Sequence, residues 1–306
     1  MNIITTIIPI FAVIIIGWFA RWRGFLPEVF LEPANRLVFY LAIPAMIFRE
    51  ISRASLKTQF DIKVLFITLF SVICVFAISW GAGLLQRTRQ GQLGTYIQTA
   101  CHGNLGYIGL AVAYYYLGTE GLVRASIIAG FVMILQNLLS VIALQFNSDR
   151  ISTTGNTLTM VWKILGNPVI VSAMAGIIFS LAEIPIPLVI DRSLNILSEL
   201  ALPLALLIIG ASLTFELMRL RISSLLSSSA MKLILLPGLG FGLYRLFGLP
   251  SHDYLPGLIL LASPTATVSY VMAKEMKGDA DFAVAAISIS TLLSAVTFTV
   301  WLNVAR

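Results

Sequence analysis

Seven stretches of this chain of 306 residues contain no aspartate, glutamate, lysine or arginine, and each is about 20 residues long or longer. A helix of about 20 apolar residues spans the hydrocarbon core of a bilayer. Three further segments, near Asn35–Phe48, Ala201–Thr214 and Leu233–Tyr244, reach that length if one charge near an end extends to the interface. The sequence therefore predicts an all-α polytopic membrane protein with ten transmembrane helices. The seven charge-free stretches are Met1–Ala20, Val64–Gln86, Gly91–Thr119, Ala125–Ser148, Ile164–Ala182, Tyr254–Ala273 and Phe282–Ala305.

Composition and charge support the same class of protein. Hydrophobic residues make up 58% of the chain and charged residues 11%, whereas roughly a quarter of the residues in soluble domains are charged. The net charge of +6 comes from basic residues in short loops, where they set membrane topology, so we expect the lipid bilayer and not nucleic acid as the partner. The positive-inside rule favours an integral membrane protein with both termini outside the cytoplasm, which for a bacterial inner membrane means the periplasm.

The two halves of the chain are similar to each other. Leu-Ala-Ile-Pro44 matches Leu-Ala-Leu-Pro203, and other prolines and glycines align at the same separation. Five helices in each half would give the second half the opposite orientation, as in transporters built from inverted repeats. We therefore predict a first five-helix repeat over residues 1–146, a cytoplasmic linker over 147–166, and a second repeat over 167–306. The other aligned pairs are Pro9 with Pro168 and Gly17 with Gly176.

Two of the predicted spans carry helix-breaking residues at mid-membrane. Gln98–Gly109 in the fourth span is rich in polar residues and glycine, and Ser263-Pro264-Thr265 occupies the matching place in the ninth. Interrupted helices at corresponding positions of two repeats indicate a transport site. Serine followed by proline is typical of a helix start, so we predict half-helices that begin near Asn104 and Pro264.

These half-helices suggest how a solute could bind. Two helix starts that converge would each present unpaired N–H groups and a partial positive charge, which together could hold an anion. Asn104 would cap its helix and still offer amide hydrogens. The further candidates for substrate contact in these segments are Gly103, Ser263, Pro264, Thr265 and Thr267.

The same motifs resemble those of the auxin efflux carrier family, within the group that includes the bile-acid/sodium symporters. The similarity extends over essentially the whole chain. It rests on Gly103–Leu110, on Leu202–Leu206 with Gly210–Leu213, and on Lys232 before Pro237. The chain departs from the family pattern at Ala111, where many members have proline.

The resemblance implies a division into two domains and a class of substrate. Helices 1, 2, 6 and 7 would form a scaffold domain, and helices 3–5 and 8–10 a transport domain with broken, crossing helices 4 and 9. The implied activity is export or exchange of a small organic anion. In the family, the Asn-Pro that matches Asn167-Pro168 helps to face the substrate pocket. Association of two copies through the scaffold domain is left open.

Further polar residues have two interpretations each. Gln136 and Asn137 lie mid-span, where hydrogen bonds between helices and substrate contact both remain open. Asn167 could cap a helix or contact substrate. Glu199 and Lys232 lie in apolar sequence, where they could pair with each other, or Lys232 could bind the substrate anion. His102 could titrate near neutral pH or serve as a hydrogen-bonded packing residue.

Helix-bending residues are candidates for hinges. Proline within a helix removes a backbone hydrogen bond and bends the helix, and glycine permits close helix crossings. Pro44, Pro203, Gly106 and Gly109 are therefore predicted to form hinge or crossover positions.

Other functional classes find less support. A cation/proton antiporter of the same inverted-repeat type remains the alternative, but the two interrupted spans contain no acidic residue between Arg89 and Thr119 or between Tyr254 and Ala273. The sequence has no HExxH motif, no Gly-x-Ser-x-Gly motif and no ATP-binding P-loop. We therefore expect no enzyme activity, no cofactor and no metal site, and a carrier that is driven by a gradient or facilitates diffusion.

Overall fold

A computed structural model describes residues 3–54, 61–147, 166–214 and 222–305. In these ranges the chain is helical, and its one β-type pairing is an isolated bridge between Gly103 and Thr265. The predicted all-α class is confirmed. Most of the predicted linker, residues 148–165, lies outside the described residues.

The described helices are numbered in the order in which they follow one another along the chain. The first half contains α1 (Ile3–Trp22), α2 (Glu28–Leu37), α3 (Ile43–Arg53), α4 (Ile62–Leu85), α5 (Gln90–Cys101) and α6 (Leu110–Phe146). The second half contains α7 (Pro168–Leu181), α8 (Leu188–Ala211), α9 (Ile222–Ala230), α10 (Leu236–Leu246), α11 (Ser251–Ala262), α12 (Val268–Glu275) and α13 (Ala280–Val304). The described residues include three π-helical segments. Val38–Ala42 joins α2 to α3 and Met231–Leu235 joins α9 to α10 without a loop, whereas Leu105–Gly109 leads directly into α6.

Within the described residues, five continuous helical stretches are long and apolar enough to cross a membrane. They are Ile62–Leu85, Leu105–Phe146, Leu188–Ala211, Ile222–Leu246 and Ala280–Val304. Thr6–Trp22 and Pro168–Leu181 are shorter apolar helices. The chain therefore has the helices of an integral membrane protein, and the arrangement of ten spans in two inverted repeats stays a prediction.

The chain divides into two compact units. The first comprises Met1–Asp61, Gly106–Phe131 and Val161–Ser212, and the second comprises Ile62–Leu105, Val132–Met160 and Leu213–Arg306. The first unit thus contains the segments predicted as the scaffold, together with Gly106–Phe131 from the predicted transport domain. Both predicted site segments, Gly103–Asn104 and Ser263–Thr267, fall in the second unit.

In the first unit, α1 and α8 approach so closely that glycine is required at the contact. A Cβ atom built on Gly210 would lie 1.8 Å from the carbonyl oxygen of Ile14, and one on Gly17 would lie 2.2 Å from that of Leu207. At the end of α1, Arg21 donates a hydrogen bond of 2.7 Å to the carbonyl oxygen of Ala211 at the end of α8. This bond satisfies one of the carbonyls that a helix end leaves open.

A charge cluster joins α3 to α8 in the same unit. The buried carboxylate of Asp191 accepts hydrogen bonds from Arg49 Nε at 3.1 Å and from a terminal guanidinium nitrogen of Arg53 at 2.9 Å. Arg49 also pairs with Glu50 at 2.9 Å. Asp191 and Glu50 therefore balance the charges of these two arginines locally.

Two of the π-helical segments are each followed, after one intervening residue, by a proline. Val38–Ala42 precedes Ile43-Pro44, and Met231–Leu235 precedes Leu236-Pro237. Proline lacks the N–H that would bond to the carbonyl four residues earlier, and a wider turn accommodates its ring. For Pro237 that carbonyl belongs to Leu233, and Trp301 Nε1 donates to it at 2.8 Å instead.

The Trp301 bond gives a prediction about stability. A Trp301→Phe variant is expected to lower the free energy of unfolding by about 1–3 kcal/mol, because it removes the partly buried hydrogen bond to the carbonyl of Leu233, which Pro237 cannot make. The measurement is the midpoint of thermal unfolding in detergent. Trp80→Phe is the control, since Trp80 packs against Phe76 and Phe146 through its rings. Equal losses in both variants would mean that ring volume, not the hydrogen bond, accounts for the effect.

A sharp turn interrupts the long helix α6 at Gly118. Its backbone angles, φ 73° and ψ −163°, lie where residues with a side chain are strained. The turn separates the segment before Gly118 from the segment that carries Gln136, Asn137 and Ser140.

Candidate functional site

The first break in the second unit separates α5 from the π-helical segment that begins at Leu105. Helix α5 ends at Cys101, and His102 to Asn104 do not continue it. The side chain of Gln136 forms hydrogen bonds to the backbone on both sides of this break. Its Oε1 accepts from Gly103 N at 3.2 Å, and its Nε2 donates to Cys101 O at 3.0 Å. The open backbone groups of this buried segment are thus paired by a residue of α6.

The second break lies between α11 and α12, and it corrects a prediction. The helix does not begin at Pro264. Instead α11 ends at Ala262, Ser263 is extended with φ −60° and ψ 140°, and α12 begins only at Val268. Ser263 Oγ donates back to Ile259 O at 3.0 Å, so it bonds to the helix before it and does not cap the one after it.

The two breaks pair with each other through their main chains. Asn104 N donates to Pro264 O at 2.7 Å, and Ala266 N donates to His102 O at 3.0 Å, which gives the antiparallel bridge between Gly103 and Thr265. We call His102–Asn104 together with Ser263–Ala266 the crossing. This pairing keeps two interrupted helices in register at one point.

Side chains reinforce the crossing. Thr265 Oγ1 donates to Thr99 O at 2.9 Å, and Thr265 N donates to Ser290 Oγ of α13 at 3.1 Å. Ser290 thus pairs one backbone group of the second break, whereas Gln136 pairs a backbone group on each side of the first. Both side chains come from helices later in the chain, α6 for the first break and α13 for the second.

These bonds overturn part of the predicted binding mode. The N–H groups of Gly103, Asn104, Thr265 and Ala266 all donate to protein acceptors, so they do not converge as open donors for an anion. The hydroxyl hydrogens of Ser263 and Thr265 are likewise committed to carbonyls. An anion at this place would need other donors.

Lys232 places a positive charge beside the crossing. Its side chain is fully buried, and its ammonium donates to Leu261 O at 2.7 Å, in the last turn of α11. A Cβ atom built on Gly103 would lie 3.2 Å from both Cε and Nζ of Lys232, so the ammonium sits directly against the first break. Lys232 belongs to the π-helical segment before Pro237, where the wider turn displaces its side chain from regular helix geometry.

The remaining predicted residues of the second unit lie near the crossing in different ways. His102 Nδ1 is 2.8 Å from Ser140 Oγ, which is the geometry of a hydrogen-bonded packing residue. Asn137 donates to Met133 O of its own helix at 2.8 Å and does not reach the break. Thr267 is half-buried at the start of α12, and its side chain makes no capping bond. Asn104 is buried directly before the helical segment that starts at Leu105.

Several predicted residues belong to the first unit, so the crossing does not bring them together. Asn167 caps α7, because its Oδ1 accepts from Val169 N at 2.9 Å. Glu199 is exposed and accepts from Asn195 at 2.8 Å, whereas one of the two interpretations of the sequence paired it with Lys232. Pro203 lies inside α8, Pro44 follows a π-helical segment, and Gly106 and Gly109 lie within another.

Sequence reasoning did not identify the residues that hold the breaks. Gln136 is noticeable as a polar residue in mid-span, but its position next to Asn137 gives no indication of which of the two faces the gap. Ser290 is one of several small polar residues in α13, and the helical spacing alone does not distinguish it. Tyr107, which donates to Asn35 at 2.6 Å in the first unit, carries no sequence signal beyond its place after the break.

Comparisons with known proteins identify membrane transporters as the relatives of this chain. A family model described as membrane transport protein matches residues 2–302. An uncharacterized transporter of Methanothermobacter thermautotrophicus is 24% identical, with 97% of this chain and 96% of the relative covered. A putative malonate transporter of Rhizobium meliloti is 26% identical over 96% of this chain and 92% of the relative. The uncharacterized transporter YfdV of Escherichia coli K12 is 23% identical over 98% and 96%.

Proposed function

Because this chain belongs to the membrane transport protein family, which confirms its resemblance to the auxin efflux carriers, we propose that it carries a small organic anion across the membrane as a secondary transporter. A carboxylate-bearing metabolite is the proposed substrate class. The relative from Rhizobium meliloti, described as a putative malonate transporter, supports a carboxylate. The protein is a transporter and not an enzyme.

The observation that carries the proposal is the charge at the crossing. Lys232 brings a buried ammonium there, and Leu105 and Val268 begin helical segments that follow the two breaks. The sequence places no aspartate or glutamate in the interrupted spans. A site with one cation, two helix starts and no acid has the electrostatics of an anion site.

The donors proposed for the substrate differ from those that the sequence suggested. Because the hydroxyls of Ser263 and Thr265 bond to carbonyls, the proposed contacts are the carboxamide of Asn104 and the hydroxyl of Thr267. Hydrogen bonds to a charged group contribute about 1.5–3 kcal/mol each. The pairing of both breaks suits alternating access, since the segments that bind the anion would then move as one body.

The finer architecture belongs to the same proposal. Two inverted five-helix repeats, with a scaffold domain and a transport domain, would place the linker in the cytoplasm and both termini in the periplasm of a bacterial inner membrane. The main-chain pairing of the two breaks supports an internal repeat, because the breaks lie at corresponding places in the two halves. The basic residues of the loops support the orientation.

Substitution of Asn104 tests the substrate contact. We expect Asn104→Ala to weaken malonate binding by about tenfold or more, at 1.4 kcal/mol per decade, while the protein remains folded. Asn104→Asp has nearly the same size and adds a negative charge, so it is expected to weaken binding further. Calorimetry on the purified proteins measures both affinities, and an unchanged affinity in Asn104→Ala would remove this residue from the site.

The same pair of variants separates an anion carrier from a cation/proton antiporter. Uptake of labelled malonate into proteoliposomes, with and without proton and sodium gradients, is expected for the wild type and should fall most in Asn104→Asp. In an antiporter the added carboxylate would instead favour the substrate cation. Sodium or proton exchange without malonate uptake, increased by Asn104→Asp, would refute the anion proposal.

A further inference from the structure

The position of Lys232 in the second unit suggests a role beyond electrostatic attraction of the anion. In carriers with broken helices, half-helix carboxyl ends and unwound carbonyls are where a coupling cation such as Na⁺ binds. Here α5 and α11 both end at the crossing, at Cys101 and Ala262. The ammonium of Lys232 donates to the carbonyl of Leu261 in that final turn of α11.

The charge balance around Lys232 is unusual for a buried lysine. Among the described residues, the ion pairs include none between Lys232 and a carboxylate. A buried cation is costly without a compensating negative group. The partial negative charge at the carboxyl end of α11 provides one, because each helix end carries about half an elementary charge.

The surroundings hold the ammonium at this place. Gly103 has no side chain, and a Cβ there would press on both Cε and Nζ at 3.2 Å. The π-helical turn and Pro237 determine where the lysine leaves its helix. Backbone therefore positions the ammonium on three sides: at Gly103, at Leu261 and in the π-helical segment that carries Lys232.

We propose that the Lys232 ammonium is a built-in counter-ion that takes the place of a bound metal cation at the carboxyl end of α11. The wild-type protein then needs no Na⁺ at the crossing. Shortening the side chain opens an ammonium-sized space in front of Leu261 O, and a sodium ion from solution takes it. The inference concerns cation binding at the crossing and does not depend on which anion is carried.

Thermal unfolding of the full chain in detergent tests this inference without any transport assay. Lys232→Ala and Lys232→Gln should unfold at lower temperature than the wild type in choline chloride. Replacing choline by sodium at equal ionic strength, about 150 mM, should raise their melting temperatures by about 3 °C or more. The wild type should melt at the same temperature in both salts.

A variant of matched length separates cation binding from loss of packing. Lys232→Met fills the same space without a charge, so it should be destabilised but insensitive to sodium. Lys274→Met, which removes a lysine that lies over the ring of Tyr270, controls for a general loss of positive charge. Recovery of folded Lys232→Ala or Lys232→Gln only from sodium-containing buffers would equally support the proposal.

Two results would overturn the counter-ion role. One is stabilisation of the wild type by sodium over choline, which would show that the cation site is open while the lysine is present. The other is an equal melting temperature of Lys232→Ala and Lys232→Gln in both salts. Neither result bears on malonate binding, so the proposed function is judged separately by the Asn104 variants.

Discussion

A Gln136→Leu variant is expected to lose most of its folded yield and its transport. Leucine has nearly the volume of glutamine but cannot bond to Gly103 N or Cys101 O, so two backbone groups of the first break become unpaired. Each buried group without a partner costs about 1–3 kcal/mol, which together is a large part of the stability of a typical domain. The measurements are the yield of monodisperse protein and the melting temperature in detergent.

The neighbouring residue provides the matched control. Asn137→Leu removes an amide that bonds only to Met133 O in its own helix, so we expect a change in stability within about 1 kcal/mol. If Asn137→Leu were as damaging as Gln136→Leu, the effect would come from adding apolar volume to this part of α6. Equal stability of Gln136→Leu and the wild type would show that the break does not need its side-chain partner.

A Gly210→Ala variant is expected to prevent close packing of α1 against α8. The added carbon would lie 1.8 Å from the carbonyl oxygen of Ile14, and the backbone there cannot give way as a flexible side chain could. The helices must separate, at a cost at or above the upper end of the ~1–3 kcal/mol typical of overpacking. Thermal unfolding and proteolysis of the purified protein measure the loss.

Glycines with free space around them show what the same substitution does elsewhere. At Gly81 and Gly242 an added Cβ atom would have no neighbouring atom within 4 Å, and both residues lie inside helices. Alanine favours helices over glycine by about 0.8–1 kcal/mol, so Gly81→Ala and Gly242→Ala should be neutral or stabilising. Intact stability of Gly210→Ala would mean that α1 and α8 are farther apart than the structure places them.

The sequence predicted the class of protein and the regions of the breaks, because both depend on residue type. Charge-free apolar stretches predict membrane helices, and glycine, proline and polar residues within them predict where helical hydrogen bonds are missing. The start of α12 was placed four residues too early. Ser-Pro also suits extended backbone, since proline disfavours helical geometry in the residue before it, and the pairing of Pro264 O with Asn104 N selects that form.

The side-chain partners at the breaks could not be predicted, because they depend on tertiary contacts. One residue turns a helix by about 100°, so Gln136 and Asn137 face different neighbours although their chemistry is almost the same. Only the structure shows that Gln136 reaches Gly103. In the same way, nothing in the sequence distinguishes Leu261 O as the acceptor for Lys232.

The main-chain pairing at the crossing has a consequence for how this family can diversify. Bonds between backbone atoms place few demands on side-chain identity, beyond excluding proline where Asn104 and Ala266 donate their N–H groups. Side chains near the crossing can therefore change, and the recognised solute can change with them. The two broken helices still meet at the same point. A new substrate specificity can then evolve by side-chain substitutions around an unchanged backbone pairing, without a new fold.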